Sequence, residues 1–447
     1  MSVTAPLGFR AAGVVAGLKA SGDRDVAVVI NDGPSRAAAA TFTSNRVKAA
    51  PVLWTQQVVE GQRVRAVALN SGGANACTGP LGFQDTHLTA ERLADALGDS
   101  AGEMAVCSTG LIGERLAMDK ILPAIDACVA DASRGGGLAA ADAIRTTDTV
   151  VKISFRRAAP GPGPAAGPIP GPSPGPSPGA SPGPGASPGP SPGPSPGAGP
   201  GPGPGPGASP SPGPSPGAGG EGTGYAVGGM AKGAGMLAPA LATMLCVVTT
   251  DADLDAGDLD AALRTAVRVS FDRLDTDGCM STNDTVLLMA SGASGVRPDP
   301  GEFTALLTEV CTDLARQLQL DAEGAGKMIA VEVIGAASEE DAVTAGRAVA
   351  RSSLLKCAIA GADPNWGRVV SAVGTTSAQF EPDRLNVAIN GIWVCRNGCA
   401  GDERSKVDMS ARDVTITVDL SAGPNAATIL TTDLTAEYVH ENSAYPT

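Results

Sequence analysis

From Pro160 to Pro216 the chain is Pro, Gly, Ser and Ala almost throughout, and this stretch holds 24 of the chain's 36 prolines. Proline fixes φ and removes a backbone donor, and glycine brings no side chain to bury. Such a segment has too few aliphatic groups to offset the entropy of ordering. Residues 155–222 are therefore expected to be a disordered insertion with polyproline-II character. No Gly-X-Y period persists, which argues against collagen. A proline-recognising domain could bind it, but a tolerated surface loop is the simpler expectation, because long loops are accommodated cheaply. The flanking stretches keep an ordinary proline content.

The 447 residues allow two or three domains and a sizeable core. With 43% hydrophobic but only 3% aromatic residues, that core must rest on Ala, Val, Leu and Ile. A net charge of −14 argues against nucleic acid or an anionic membrane as partner. The N-terminus lacks a lysine- or arginine-rich leader. The longest near-apolar run, Met236–Val248, has 13 residues and contains Pro239, too short and broken to span a bilayer. A soluble, cytoplasmic protein is expected. Nine cysteines without regular spacing point to reduced thiols. Cys395 and Cys399 form the only close pair, and His87 and His440 stand elsewhere, so no zinc or other metal site is expected. So few histidines also disfavour a Ser–His–Asp mechanism; a nucleophile here needs another base.

Apolar, β-branched runs predict strands at 26–30, 63–70, 103–108, 150–154, 245–250, 286–290, 328–334, 385–394, 414–420 and 427–434. Helical spacing predicts helices over 119–132, 138–144, 259–274 and 302–320. Ser338, with Asp341 three residues on, caps a further helix running to about Leu355. Residues 361–368 read as a loop. Helices and strands alternate without regular βαβ spacing, which favours layered α+β over a doubly wound sheet.

Three stretches carry candidate chemistry. Residues 228–251 begin as a glycine-rich loop, pass through small residues around Ala242 and Thr243, and become the strand Leu245–Thr250. A hydroxyl residue there could stand exposed yet rigidly held, or the segment could be a turn packed into a core. Thr109 and Gly110 follow the strand at 103–108, where a hydroxyl and an unhindered amide could donate two hydrogen bonds to one oxyanion. The loop Ser71–Gly79 could cup an anion with its amides or simply be a tight turn.

Eight motifs, spread from end to end outside the insertion, occur together in one known family. They are NSGGANACTG (70–79), STGLIGE (108–114), TTDT (146–149), GGMAKGAGMLAPALATMLCVVTTDA (228–252), DRLDTDGCMSTNDT (272–285), DAEGAGK (321–327), GADPNWGR (361–368) and ENSAYPT (441–447). On these the chain resembles the ornithine acetyltransferases, the glutamate N-acetyltransferases of arginine biosynthesis.

The resemblance implies an α+β, layered αββα-type sandwich in a precursor that cuts itself between Ala242 and Thr243. Residues 1–242 would form an alpha chain and 243–447 a beta chain. The residues alone do not single out Thr243 over Thr249 or Thr250; the resemblance does. It implies a ping-pong reaction in which Thr243 takes acetyl from N-acetylornithine, releases ornithine and passes acetyl to glutamate. The freed α-amine, with a pKa of roughly 7.7–8.0, would serve as base.

Thr109 and Gly110 are implied as the oxyanion hole. Thr146, Lys232, Thr243, Glu323, Asn442 and Thr447 are implied as substrate-binding, so the C-terminal tail would fold back over the site. Lys232 and Glu323 would oppose the two charges of an amino acid, although either could be an ordinary solvated surface charge. No cofactor is implied, with acetyl-CoA as a further acetyl donor left open. The fragments would assemble into a heterotetramer or larger. A self-cleaving amidase or aminopeptidase would share Thr243 and the oxyanion pair but release acyl groups to water. The insertion and Pro446 depart from the family's pattern.

Overall fold

The β-branched run Leu245–Thr250 is a strand, β8, buried on both faces. In the computed structural model, residues 2–158, 224–237 and 244–444 are described. Alternation along β8 sends Cys246 and Val248 into one core and Leu245 and Val247 into another. It lies in a five-stranded sheet with β3 (Ala38–Phe42), β9 (Thr285–Ala290), β7 (Ala226–Lys232) and β6 (Lys152–Arg157), ordered β3-β9-β8-β7-β6. Only the β8–β9 pair is parallel.

On one side this sheet packs against α5 (Ala256–Val269) and α6 (Pro300–Leu320), through Leu259, Leu263, Val310 and Leu314. On the other it meets a four-stranded sheet, β1 (Phe9–Val14), β2 (Val26–Asn31), β4 (Ala66–Ser71) and β5 (Met104–Thr109), in that order. Met230, Leu245, Val247 and Leu287 there face Ala27, Val29, Val67 and Ala105. The far face of the four-stranded sheet, with Val28, Met104 and Val106, is covered by α2 (Gly79–Leu97) and α3 (Met118–Asp131). The layers therefore run helix, sheet, sheet, helix, the αββα sandwich expected. Alanine on the facing strands allows this core with few aromatic rings. The helices α1 (Ala50–Glu60) and α4 (Gly137–Ala143) contribute Val58, Ala140 and Ala141 to the inter-sheet core.

A third sheet has β10 (Met328–Ala336), β11 (Asn386–Ile389), β12 (Ile392–Arg396), β13 (Cys399–Ala400), β14 (Asp413–Asp419) and β15 (Asn425–Thr432), ordered β13-β12-β11-β14-β10-β15. Its core takes in α7 (Glu339–Ala350), α8 (Ser353–Ala360) and α9 (Trp366–Val373). The last helix is α10 (Ala436–Ala444).

Several boundaries differ from expectation. The glycine-rich loop at 228 is strand β7 as far as Lys232, because its neighbours β6 and β8 bond both of its edges. Phe155, Arg156 and Arg157, placed in the insertion by composition, complete β6. From 159 onward the insertion, along with Ala242, Thr243 and Thr447, lies outside the described residues.

The single strand expected at 385–394 is a hairpin, because Asn390 and Gly391 turn the chain with φ of 47° and 81°. Ser338 caps α7 as expected, but the helix stops at Ala350. Ser352 then caps α8, its Oγ accepting the Leu355 amide at 3.3 Å. Trp366 to Arg368, expected in a loop, open α9. The elements β1, β3, α1, α2 and α10 had no expectation.

Candidate active site

Thr109 is the last residue of β5, paired with Ser71 on the parallel strand β4. Two strand ends thus open side by side, and the Gly73 amide donates to the Thr109 carbonyl at 3.0 Å. Gly110 follows with φ of +128°, and a Cβ there would stand 2.5 Å from the Gly73 nitrogen. Only glycine fits this turn. Of the Ser71–Gly79 loop, Gly72 faces the same space. Asn75 turns away, its Nδ2 donating to Gly82 O at 2.8 Å and Thr86 Oγ1 at 2.9 Å.

Lys232 closes β7, opposite Leu245 at the start of β8. Its side chain is 1% exposed, so it is no surface charge. Its Nζ donates to Thr109 Oγ1 at 3.2 Å. An ammonium only donates, so the Thr109 oxygen accepts and its own proton is free to point elsewhere. That leaves the hydroxyl as a donor beside the Gly110 amide.

The loop between α4 and β6 carries Thr146 and Asp148. The Asp148 side chain is completely buried. Its Oδ1 accepts the Lys152 ammonium at 2.6 Å and the Gly233 amide at 2.7 Å. Its Oδ2 accepts the Thr146 amide at 3.0 Å and lies 4.0 Å from Lys232 Nζ. Lys152 also pairs with Asp321 at 2.5 Å, and Asp321 accepts the Thr149 amide at 3.0 Å. Burial works against the charged form of Asp148, but Lys232, Lys152 and the Gly233 amide outweigh it and hold the carboxyl down at about 2. Burial lowers the Lys232 ammonium below the ordinary lysine range, with Lys152 adding to the effect and Asp148, Glu323 and Asp284 opposing it.

Glu323 sits in the turn after α6, its amide donating to Ala234 O at 3.0 Å. The next residue, Gly324, has φ of +59°, and a Cβ there would lie 2.2 Å from the Tyr438 nitrogen. The helix α10 is seated directly on this turn. Thr435 Oγ1 donates to Gly324 O at 2.6 Å and accepts the Tyr438 amide at 3.1 Å. Two turns of helix then bring Asn442 to the same opening.

Thr109, Gly110, Thr146, Lys232, Glu323 and Asn442 line one cavity of about 550 Å³. These are all the expected site residues that lie among the described ones. A larger depression of about 750 Å³ between α2 and α3 shares none of them. The residues that sequence reasoning gave no role are Asp148, Lys152 and Asp321, which hold the site from beneath. A buried aspartate inside TTDT and a lysine four residues on were the available signal.

Three kinds of comparison set the chain beside known proteins. The ArgJ family matches the chain over residues 10–165 and 218–447. The chain belongs to the ArgJ family. The arginine biosynthesis bifunctional protein ArgJ of Thermobifida fusca is 61% identical over 447 residues, covering all of both chains. The protein of that name from Streptomyces coelicolor is 56% identical over 445 residues, again with full coverage of both. Among solved structures, ornithine acetyltransferase from Mycobacterium tuberculosis complexed with ornithine is 61% identical, covering 34% of this chain and 83% of that chain with a TM-score of 0.34. The described residues of this ArgJ-family chain include no helix long and apolar enough to cross a membrane.

Proposed function

We propose that the chain is a glutamate N-acetyltransferase of arginine biosynthesis, moving acetyl from N-acetylornithine to glutamate by a ping-pong route. The observation that carries this is the cavity itself. It gathers a hydroxyl and glycine pair, a buried cation and a carboxylate from three separate parts of the chain.

The precursor cuts itself between Ala242 and Thr243, giving fragments 1–242 and 243–447. The new α-amine of Thr243 takes the proton from its own hydroxyl, which attacks the acetyl carbonyl. Thr109 Oγ1 and the Gly110 amide donate to the oxygen on which charge develops. Lys232 faces the substrate α-carboxylate and Glu323 the amino group, while Thr146, Asn442 and Thr447 hold the remaining polar groups. Ornithine leaves, glutamate enters, and the acetyl-threonine ester is aminolysed. Acetyl-CoA is a second acetyl donor, in keeping with the word bifunctional in the relatives' names. The fragments assemble as a heterotetramer or larger in the cytoplasm.

Mass spectrometry after incubation with N-acetylornithine tests the reading. The expected result is two fragments with one acetyl group on the second. Acetyl transfer by Thr243→Ala, or active protein without a chain beginning TMLCVV, would overturn it.

A further inference from the structure

The loop between β1 and β2 forms one wall of the cavity, through Leu18, Lys19, Ala20 and Ser21. Its shape is set by Asp25, which is fully buried. Asp25 Oδ1 accepts the Ala16 amide at 2.6 Å, and Oδ2 accepts the amides of Leu18 and Lys19, the latter at 3.2 Å. Leu18 is pressed onto the strand-end turn, where a Cβ on Gly72 would lie 3.1 Å from the Leu18 Cβ. Lys19 is thereby brought to the same opening as Thr109 and Thr146.

The half-buried Lys19 donates through Nζ to the Arg24 carbonyl at 2.6 Å and the Ala143 carbonyl at 3.4 Å. Ala143 ends α4, just ahead of Thr146. Carbonyls satisfy the hydrogen bonds of an ammonium but leave its charge unanswered. The nearby carboxylates are engaged elsewhere. Asp25 holds the loop amides, and Asp142 pairs with Arg24 at 3.0 Å and Arg145 at 2.6 Å. Among the described residues no carboxylate forms an ion pair with Lys19. Burial lowers its ammonium below the ordinary lysine range, with Arg145 adding to the effect and Asp25, Asp23 and Asp142 opposing it. An anion arriving through the cavity would offset that burial.

Three charged side chains line the cavity among the described residues: Lys19, Lys232 and Glu323. In the function proposed above, Lys232 and Glu323 face the two charges at the α-carbon of the amino acid. Lys19 is the charge left over. The two amino acids that share this cavity differ at the far end of their side chains, where glutamate carries a carboxylate and ornithine an ammonium.

We propose that Lys19 is the specificity residue for the acceptor, binding the side-chain carboxylate of glutamate and disfavouring the side-chain ammonium of ornithine. The role rests on the acetyl transfer proposed above. Attraction holds glutamate in place before the acetyl-threonine, and repulsion between like charges favours the departure of ornithine. One cavity can then serve both halves of the reaction in the forward direction.

Lys19→Met tests this, since methionine keeps an unbranched stem but carries no charge. Glutamate and labelled ornithine compete for the same acetyl-enzyme, ornithine returning to N-acetylornithine. The ratio of kcat/KM for glutamate to that for ornithine should fall about 10- to 100-fold, the scale of one lost hydrogen bond to a charged group. An unchanged ratio, even with both rates reduced, would mean that Lys19 only shapes the loop and would overturn the proposal. Lys19→Arg keeps the charge and should stay near the parent ratio; a loss as full as that of Lys19→Met would also overturn it. A third measurement needs no variant. Glutamine, a neutral isostere, should be a poorer acceptor than glutamate for the parent protein by about tenfold or more. Equal use of the two would again overturn the role. A parent protein that performs neither transfer nor exchange would sink the transferase reading itself, so its own assay tells the two failures apart.

Discussion

Lys232 reaches the cavity from within the protein, and its neighbours decide what it can do. Asp148 supplies much of the compensating charge. Its carboxyl is held at about 2, below the ordinary 3.8. A lowered folded pKa contributes stability that is fully present above the unfolded value and is lost as the pH falls through the folded one. The buried Asp148 should therefore contribute on the order of 2 kcal/mol above about pH 4, fading towards about pH 2. Urea unfolding of the parent and Asp148→Asn across that range should show a gap at neutral pH that narrows in acid. A gap of constant size would mean that Asp148 stabilises through shape alone.

At this scale the place of Thr109 and Gly110 at a strand end was legible, but many loops contain Thr-Gly, and only the family resemblance attached an oxyanion role to the pair. Lys232 was not legible without the family resemblance. One lysine among glycines looks like a surface charge until the strand that carries it is known to lie inside a sheet.

The helix α10 has no fully buried residue, yet it brings Asn442 to the cavity. Its position depends on the Gly324 turn beneath it. Gly324→Ala would drive a methyl group into the Tyr438 backbone and force an unfavourable φ. We expect this substitution to raise KM for glutamate about tenfold or more, the scale of 1.4 kcal/mol, with self-cleavage at the parent rate. An unchanged KM would detach the helix from substrate binding.

Long apolar periods such as those of α5 and α6 could be read from the sequence. The turn at Asn390-Gly391 sits inside a β-branched run that reads as one strand, although that dipeptide is a strong hairpin signal. The strand β3, AAATF, and the helix α2, which opens Gly-Pro, have local preferences that tertiary packing overrides.

Over the whole molecule, the flanks of the proline-rich stretch meet in one sheet, β6 before it and β7 after it, paired antiparallel from Lys152–Ala231 to Arg157–Ala226. The ends to be joined are therefore already held together. Deleting residues 161–220 should leave both self-cleavage and acetyl transfer at parent rates, measured by gel and by ornithine release. A deletion protein that stays whole would give the insertion a part in maturation. The layer order was reached through the family resemblance; composition and periodicity alone gave only layered α+β.

The order β3-β9-β8-β7-β6 has one more consequence. The proposed cut ahead of β8 would leave β9 and β8 on one polypeptide, sandwiched between β3 on one flank and β7 with β6 on the other, all from its sibling. Severing the backbone there makes two molecules by mass but none that can walk away, since departure means unzipping a ladder on either side at once. Each piece synthesised separately would carry raw strand edges in search of a mate, a hazard that birth as a single thread removes.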